Sequence, residues 1–307
     1  MGEHIIDAHA HLWLHQDTAV NGQPIYQLEP NRSRSMFFGE ERQMLPPYMT
    51  DGQNTAERFL SNMDYAQVSA AVITQEFIDG PQNSYLEQVQ QRYPTRFFVF
   101  GMPEGLQKQV PTICDEAESL IQRGFRGIKV PAARLPQRFL SNEMMQMFHL
   151  MEQHGIILGI ELMDGDAQVS QMEEVIQECP RLKVAIGHFG MVTRPNWMSQ
   201  IRLAHHENVY IESGGITWLF NDEFYPYPSA ICAIKEAANE VGMEKLMWGS
   251  DYPRTITAIT YKMSYDFVTK SHELTDDEKR LFLCDNAKQF FGFGELIELP
   301  YIKNMSE

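Results

Sequence analysis

Two histidines, His9 and His11, stand one residue apart in the stretch HIIDAHAHLWL. On a β-strand, side chains two apart share a face, so both imidazoles can reach one metal ion while Ala10 turns away. The alternative is one core histidine and one exposed. Far downstream, Asp251 in WGSDYP can ligate a cation or take a proton from water, or can cap a turn before proline. His188 stands in GHFG, whose glycines at 187 and 190 let a ligand come close; otherwise it is a core histidine. Glu161 ends the apolar run IILGIEL, where a carboxylate needs a partner or a metal unless it lies just past the sheet. Lys129 in FRGIKV can hold a substrate carboxylate or oxyanion, or pair with Glu161. Arg32 and Arg34 in NRSRS can hold substrate groups or simply be solvated. Asp7 precedes the histidines at the same spacing and is expected on their face, deeper in the fold, in a structural hydrogen-bonding role.

These residues need elements to bring them together. Eight short apolar runs recur, at 5–11, 69–74, 96–103, 125–130, 156–162, 183–190, 208–215 and 245–253. Each ends at glycine, proline or polar residues, as strands do. Helix-like segments fill the gaps, with Thr55 and Ser141 or Asn142 as N-caps. Eight alternating units predict one (β/α)8 barrel, an α/β TIM-barrel domain spanning 1–307. The rival is a doubly wound open sheet, which usually carries a glycine-rich phosphate turn; no GxGxxG or GxxxxGK[ST] occurs here. In a barrel, reactive residues gather at the C-terminal strand ends. His9, His11, Glu76, Lys129, Glu161, His188, Glu212 and Asp251 all fall there. The segment from about 15 to 54 shows little periodicity and is expected as a long loop over the catalytic face.

Composition narrows the partners. The chain has 307 residues, 43% hydrophobic, with a formal net charge of -16. So acidic a surface argues against nucleic acid or an anionic membrane. No apolar run approaches the length of a membrane span, and the first residues do not read as a signal peptide. Four cysteines without a CxxC pair fit free thiols in a reducing compartment, so a cytoplasmic setting is expected.

The stretches IDAHAHLW, GFRGIKV, IGHFG, NVYIESGG and LMWGSDYP, with DNAKQFFGF near the end, resemble the amidohydrolase superfamily. The nearest branch is amidohydrolase family 2, with its aminocarboxymuconate-semialdehyde decarboxylase-like enzymes and its L-fuconolactonase-like lactone hydrolases. The resemblance implies a barrel holding one divalent metal ion, zinc first and manganese second. His9 and His11 would be ligands, Asp251 a ligand or general base, and His188 a group that polarises substrate or shuttles a proton. Decarboxylase-like members carry a ligating histidine at the end of strand five, where this chain has Glu161. A carboxylate there is an acceptable oxygen ligand. The expected activity is therefore hydrolysis of a small ester or lactone by a metal-activated water held at His9, His11, Glu161 and Asp251. Non-oxidative decarboxylation of a small unsaturated or aromatic acid is the alternative, and a non-catalytic binding barrel is a third reading. The resemblance also allows a homodimer.

Overall fold

The computed structural model describes residues 4–107, 112–135 and 139–305. Strand β1 (Ile6–His11) is followed by four short strands, β2 (Asp17–Val20), β3 (Gln23–Gln27), β4 (Arg34–Phe37) and β5 (Glu40–Gln43). Then come β6 (Ala70–Thr74), β7 (Phe97–Gly101), β8 (Gly127–Val130), β9 (Ile157–Ile160), β10 (Val184–Ile186), β11 (Val209–Glu212) and β12 (Leu246–Met247). Strand β1 and strands β6–β12 pair in parallel, in sequence order, with helices between them. This is the expected (β/α)8 TIM barrel. Beyond β12 the chain still hydrogen-bonds to β1, from Ala8 N to Trp248 O (2.8 Å), His11 N to Tyr252 O (2.7 Å) and Asp251 N to His9 O (2.8 Å). These bonds draw the eighth strand against the first.

The strands are short and apolar because parallel strands in a barrel are buried on both faces. Inside, Ile6, Ala70, Phe98, Ile157, Ala185 and Met247, from or beside the starts of the strands, form one buried cluster with Phe290 and Phe291. The helix Asn286–Phe291 thereby closes the end of the barrel opposite the strand C-termini. Outside, the helices are set by local signals. Thr55 and Ser141 accept hydrogen bonds from Arg58 N and Met144 N, as N-caps do.

Gly127 shows how tightly the interior is filled. A Cβ there would lie 2.5 Å from the Phe100 ring and 2.9 Å from Phe98. Gly127→Ala is expected to destabilise the fold by about 1–3 kcal/mol through overpacking. Urea unfolding reads the loss; an unchanged midpoint would mean that the two rings swing aside freely.

The 15–54 segment differs from expectation. It contains an antiparallel meander, β2–β3–β4–β5, paired through Thr18 with Ile25, Tyr26 with Met36 and Ser35 with Arg42. Its residues alternate poorly because the small sheet is largely open to solvent; all of β5 is exposed. What holds it is local polar pairing, such as Ser35 Oγ donating to Gln16 at 2.9 Å, which hydrophobic periodicity does not register.

Candidate active site

At the C-terminal ends of the barrel strands, a cavity of about 350 Å³ is lined by His11, Glu76, Asp79, Glu161, His188 and Asp251. Phe37, Arg42 and Gln43 of the small sheet form part of its wall, with Arg134 and Arg254.

The pairing of β1 with β6 shifts register between Asp7 and Ala10. Ile6 and Ala8 thus belong to the interior cluster with Phe98, while His9 and His11 converge on the cavity end. Asp7 does not continue the histidine face. Its carboxylate accepts from His9 N, Ser250 N, Ser250 Oγ and Tyr261 OH. Burial pushes its pKa up to about 7 against these bonds.

His9 is held through Nδ1 by Glu212 at 2.6 Å, and His11 through Nδ1 by Asp79 at 2.7 Å. With each Nδ1 donating to a carboxylate, both Nε2 atoms carry lone pairs, and they face one another at 3.0 Å. Two lone pairs approach so closely only around a shared cation, a proton or a metal ion. Asp251 Oδ1 completes the group, 3.4 Å from His11 Nε2 and 3.7 Å from His9 Nε2. Ligands bonded at about 2.0–2.2 Å to one ion stand roughly 3–3.5 Å apart, so the donor set fits one divalent ion. Gly214 leaves room for the His9 ring and its bond to Glu212, since a Cβ there would lie 2.7 Å from His9 Nδ1.

Glu161 and His188 adjoin this group, and with His9 they form a second set of potential ligands. Glu161 Oε1 lies 2.7 Å from Lys129 Nζ and 3.4 Å from His188 Nε2. His188 Nδ1 donates to Gly214 O at 2.8 Å. The Trp218 indole N–H donates to Asp251 Oδ2 at 2.7 Å, which leaves Oδ1 to the histidines. His188 and Asp251 both have left-handed backbones, at φ 58° and 56°. That conformation costs about 1 kcal/mol or more per residue, and clustering of such strain is typical of functional sites.

The charges are interlocked. Burial works against charge on Asp251, but His11, His9 and His188 beside it hold its pKa below the usual carboxylate value. Burial likewise opposes the His188 imidazolium, yet Glu161 and the other carboxylates lift its pKa to about 9. Glu161 is held well below its ordinary value, against burial, by Lys129 and His188. Burial lowers the pKa of His9. His11 is raised well above its usual value because Asp79 and Asp251 outweigh burial.

Five residues singled out in the sequence, His9, His11, Glu161, His188 and Asp251, are therefore neighbours. The three residues expected to hold substrate lie outside the cavity lining. Lys129 is 2% exposed and committed to Glu161. Arg32 pairs with Glu29, and Arg34 with Glu41 at 2.5 Å, both at the surface of the small sheet and outside the cavity lining. The arginines that do line it are Arg42, Arg134 and Arg254. Sequence reasoning also left Asp79, Trp218 and Arg254 unassigned. Asp79 lies five residues beyond the second barrel strand, in a 3-10 turn that hydrophobic patterning does not reveal.

A family model described as amidohydrolase matches residues 6–293. No curated protein matches. Among solved structures, a probable 2-pyrone-4,6-dicarboxylic acid hydrolase from Acinetobacter baumannii with citric acid bound is 20% identical, with a TM-score of 0.66 over 94% of this chain and 99% of that one. An amidohydrolase from Burkholderia multivorans with bound zinc is 15% identical, with a TM-score of 0.68 over 94% and 99%. A 5-carboxyvanillate decarboxylase from Sphingomonas paucimobilis is 16% identical, with a TM-score of 0.62 over 95% and 99%. At these identities the likeness establishes the shared fold. Among the described residues, no helix is long and apolar enough to cross a membrane.

Proposed function

The chain belongs to the amidohydrolase family, and we propose that it is a metal-dependent hydrolase of a small ester or lactone. One observation carries this reading: His9 Nε2, His11 Nε2 and Asp251 Oδ1 converge to within 3.0–3.7 Å at the mouth of a closed barrel. These three residues would hold one divalent ion, zinc or manganese, with Glu161 able to join them. When bound, such an ion makes water more acidic and polarises a carbonyl oxygen.

The remaining work falls to side chains. Asp251 takes the proton of the attacking water; its carboxylate is ionised and fixed by Trp218. His188, kept charged by Glu161, donates from Nε2 to the developing oxyanion or to the leaving oxygen. Lys129 holds Glu161 in place and so acts on the reaction through His188. Trp13, Phe37 and Ile78 line the cavity and limit the water that reaches it.

Glu212 fixes the ring of His9 and thereby which nitrogen faces the site. Glu212→Gln is expected to weaken metal affinity about 10–100-fold, the usual cost of losing such a partner. Competition with a chelating dye measures it; unchanged affinity would show that Glu212 does not set the tautomer.

The function itself is tested by elemental analysis and a substrate panel. About one zinc or manganese per chain, lost in His11→Ala, together with opening of sugar or pyrone lactones, is the expected result. Protein that carries no metal and an unimpaired His11→Ala variant would overturn it. The decarboxylase reading is favoured by one observation, the His188 Nε2 held 3.4 Å from Glu161 beside the proposed ligands, a donor that can protonate a carbon as well as an oxygen. Carbon dioxide released from unsaturated or aromatic acids, with no lactone opened, would establish it instead. Likenesses to both a pyrone hydrolase and a decarboxylase support testing the two classes together.

A further inference from the structure

The charges around the cavity do not cancel. Glu76 pairs with Arg134 at 2.6 Å, Asp79 with His11 at 2.7 Å and Glu161 with Lys129 at 2.7 Å. Asp251 is matched by the two histidines of the first strand. Arg42 is matched by Glu40 at 2.8 Å. Among the described residues, Arg254 is the cavity-lining arginine that makes no ion pair with a carboxylate. It is not loose, however. Its guanidinium stacks 3.8 Å from the centre of the Trp218 ring, and the same indole donates its N–H to Asp251. One aromatic plate thus fixes both the proposed base and an unmatched cation, at a set spacing. A stacked guanidinium keeps its in-plane N–H groups free for a carboxylate, with which it can form two parallel bonds.

Resting on the reading of this cavity as the substrate site, we propose that Arg254 binds a carboxylate on the substrate, so that the enzyme selects anionic ring compounds over neutral ones. The carboxylate lies on a part of the substrate that does not react, one indole away from Asp251. Trp218 supports it by holding the guanidinium flat.

The test uses the metal-loaded protein and two ring probes of the same shape, benzene-1,3-dicarboxylate and its neutral diamide, with binding read by calorimetry. Wild type is expected to bind the dicarboxylate at least about tenfold more tightly than the diamide, the scale of one charge-assisted bidentate pair. Arg254→Met should erase that preference by weakening dicarboxylate binding, since methionine keeps an apolar stem over Trp218 without the charge. Arg254→Lys should retain part of it, because the charge stays and the fork is lost. No anion preference in wild type, or a preference that survives Arg254→Met, would overturn the proposal; should Arg254→Met fail to fold, full preference in Arg254→Lys would do so. These outcomes are separate from the lactone panel. Dicarboxylate binding through Arg254 without lactone opening keeps this inference and removes the hydrolase reading. Turnover of neutral lactones by an enzyme with no anion preference does the reverse.

Discussion

Replacing Asp251 with asparagine will lower kcat/KM by about 10³-fold, or roughly 4 kcal/mol of transition-state stabilisation. The substitution is chosen to spare the fold. Asparagine tolerates the left-handed backbone at φ 56°, and its amide oxygen can still accept from Trp218. The bond from residue 251 N to His9 O is made by the main chain and is unaffected. What is lost is the negative charge and with it the proton acceptor, in a site where His9, His11 and His188 hold that charge in place. Steady-state kinetics on the best lactone of the panel, beside a thermal melt within a few degrees of wild type, checks the expectation. A variant that keeps a tenth or more of the activity would remove Asp251 from proton transfer.

The largest effect on stability is expected at Asp7. Its buried carboxylate accepts from two main-chain amides and two hydroxyls. Asp7→Ala leaves those donors without an acceptor in a dry interior. The cost should be about 3–5 kcal/mol, a large part of the stability of an ordinary domain. Asp7→Asn should cost much less. Its oxygen still serves the amides, and burial already favours a neutral group there, with the pKa of Asp7 pushed up to about 7. Urea unfolding of the two variants measures the contrast. Equal, small losses would show that the hydroxyls of Ser250 and Tyr261 readily find other partners.

Much of this site is legible in the residues alone, and the reasons for the exceptions are physical. Parallel barrel strands are buried on both faces, so they stand out as apolar runs, and their ends mark His9, His11, Glu161, His188 and Asp251. The pairing of Lys129 with Glu161 was the plainer of two readings of Lys129, and the structure has it. The small sheet was hidden because its strands are short and wet, which removes the alternation that betrays a half-buried strand. The arginines illustrate another limit. Arg32, Arg34, Arg42, Arg134 and Arg254 are alike as letters, and only turn geometry decides which of them meet the cavity. Asp7 has the structural hydrogen-bonding role expected of it, but a shift in strand pairing turns it off the histidine face, and no sequence period announces that shift.

The hydrogen bonds that join the last strand to the first carry a consequence for how this enzyme comes into being. The histidine pair sits on one side of that seam and Asp251 on the other, more than 200 positions apart in the chain. A partly folded protein, however native its first seven units, lacks Asp251, and so has an incomplete donor set and not the base proposed to stand opposite it. On the proposed mechanism, chemistry begins only when the ring is shut. Such a catalyst needs no separate safeguard against premature reaction, because competence and completion of the fold are one event.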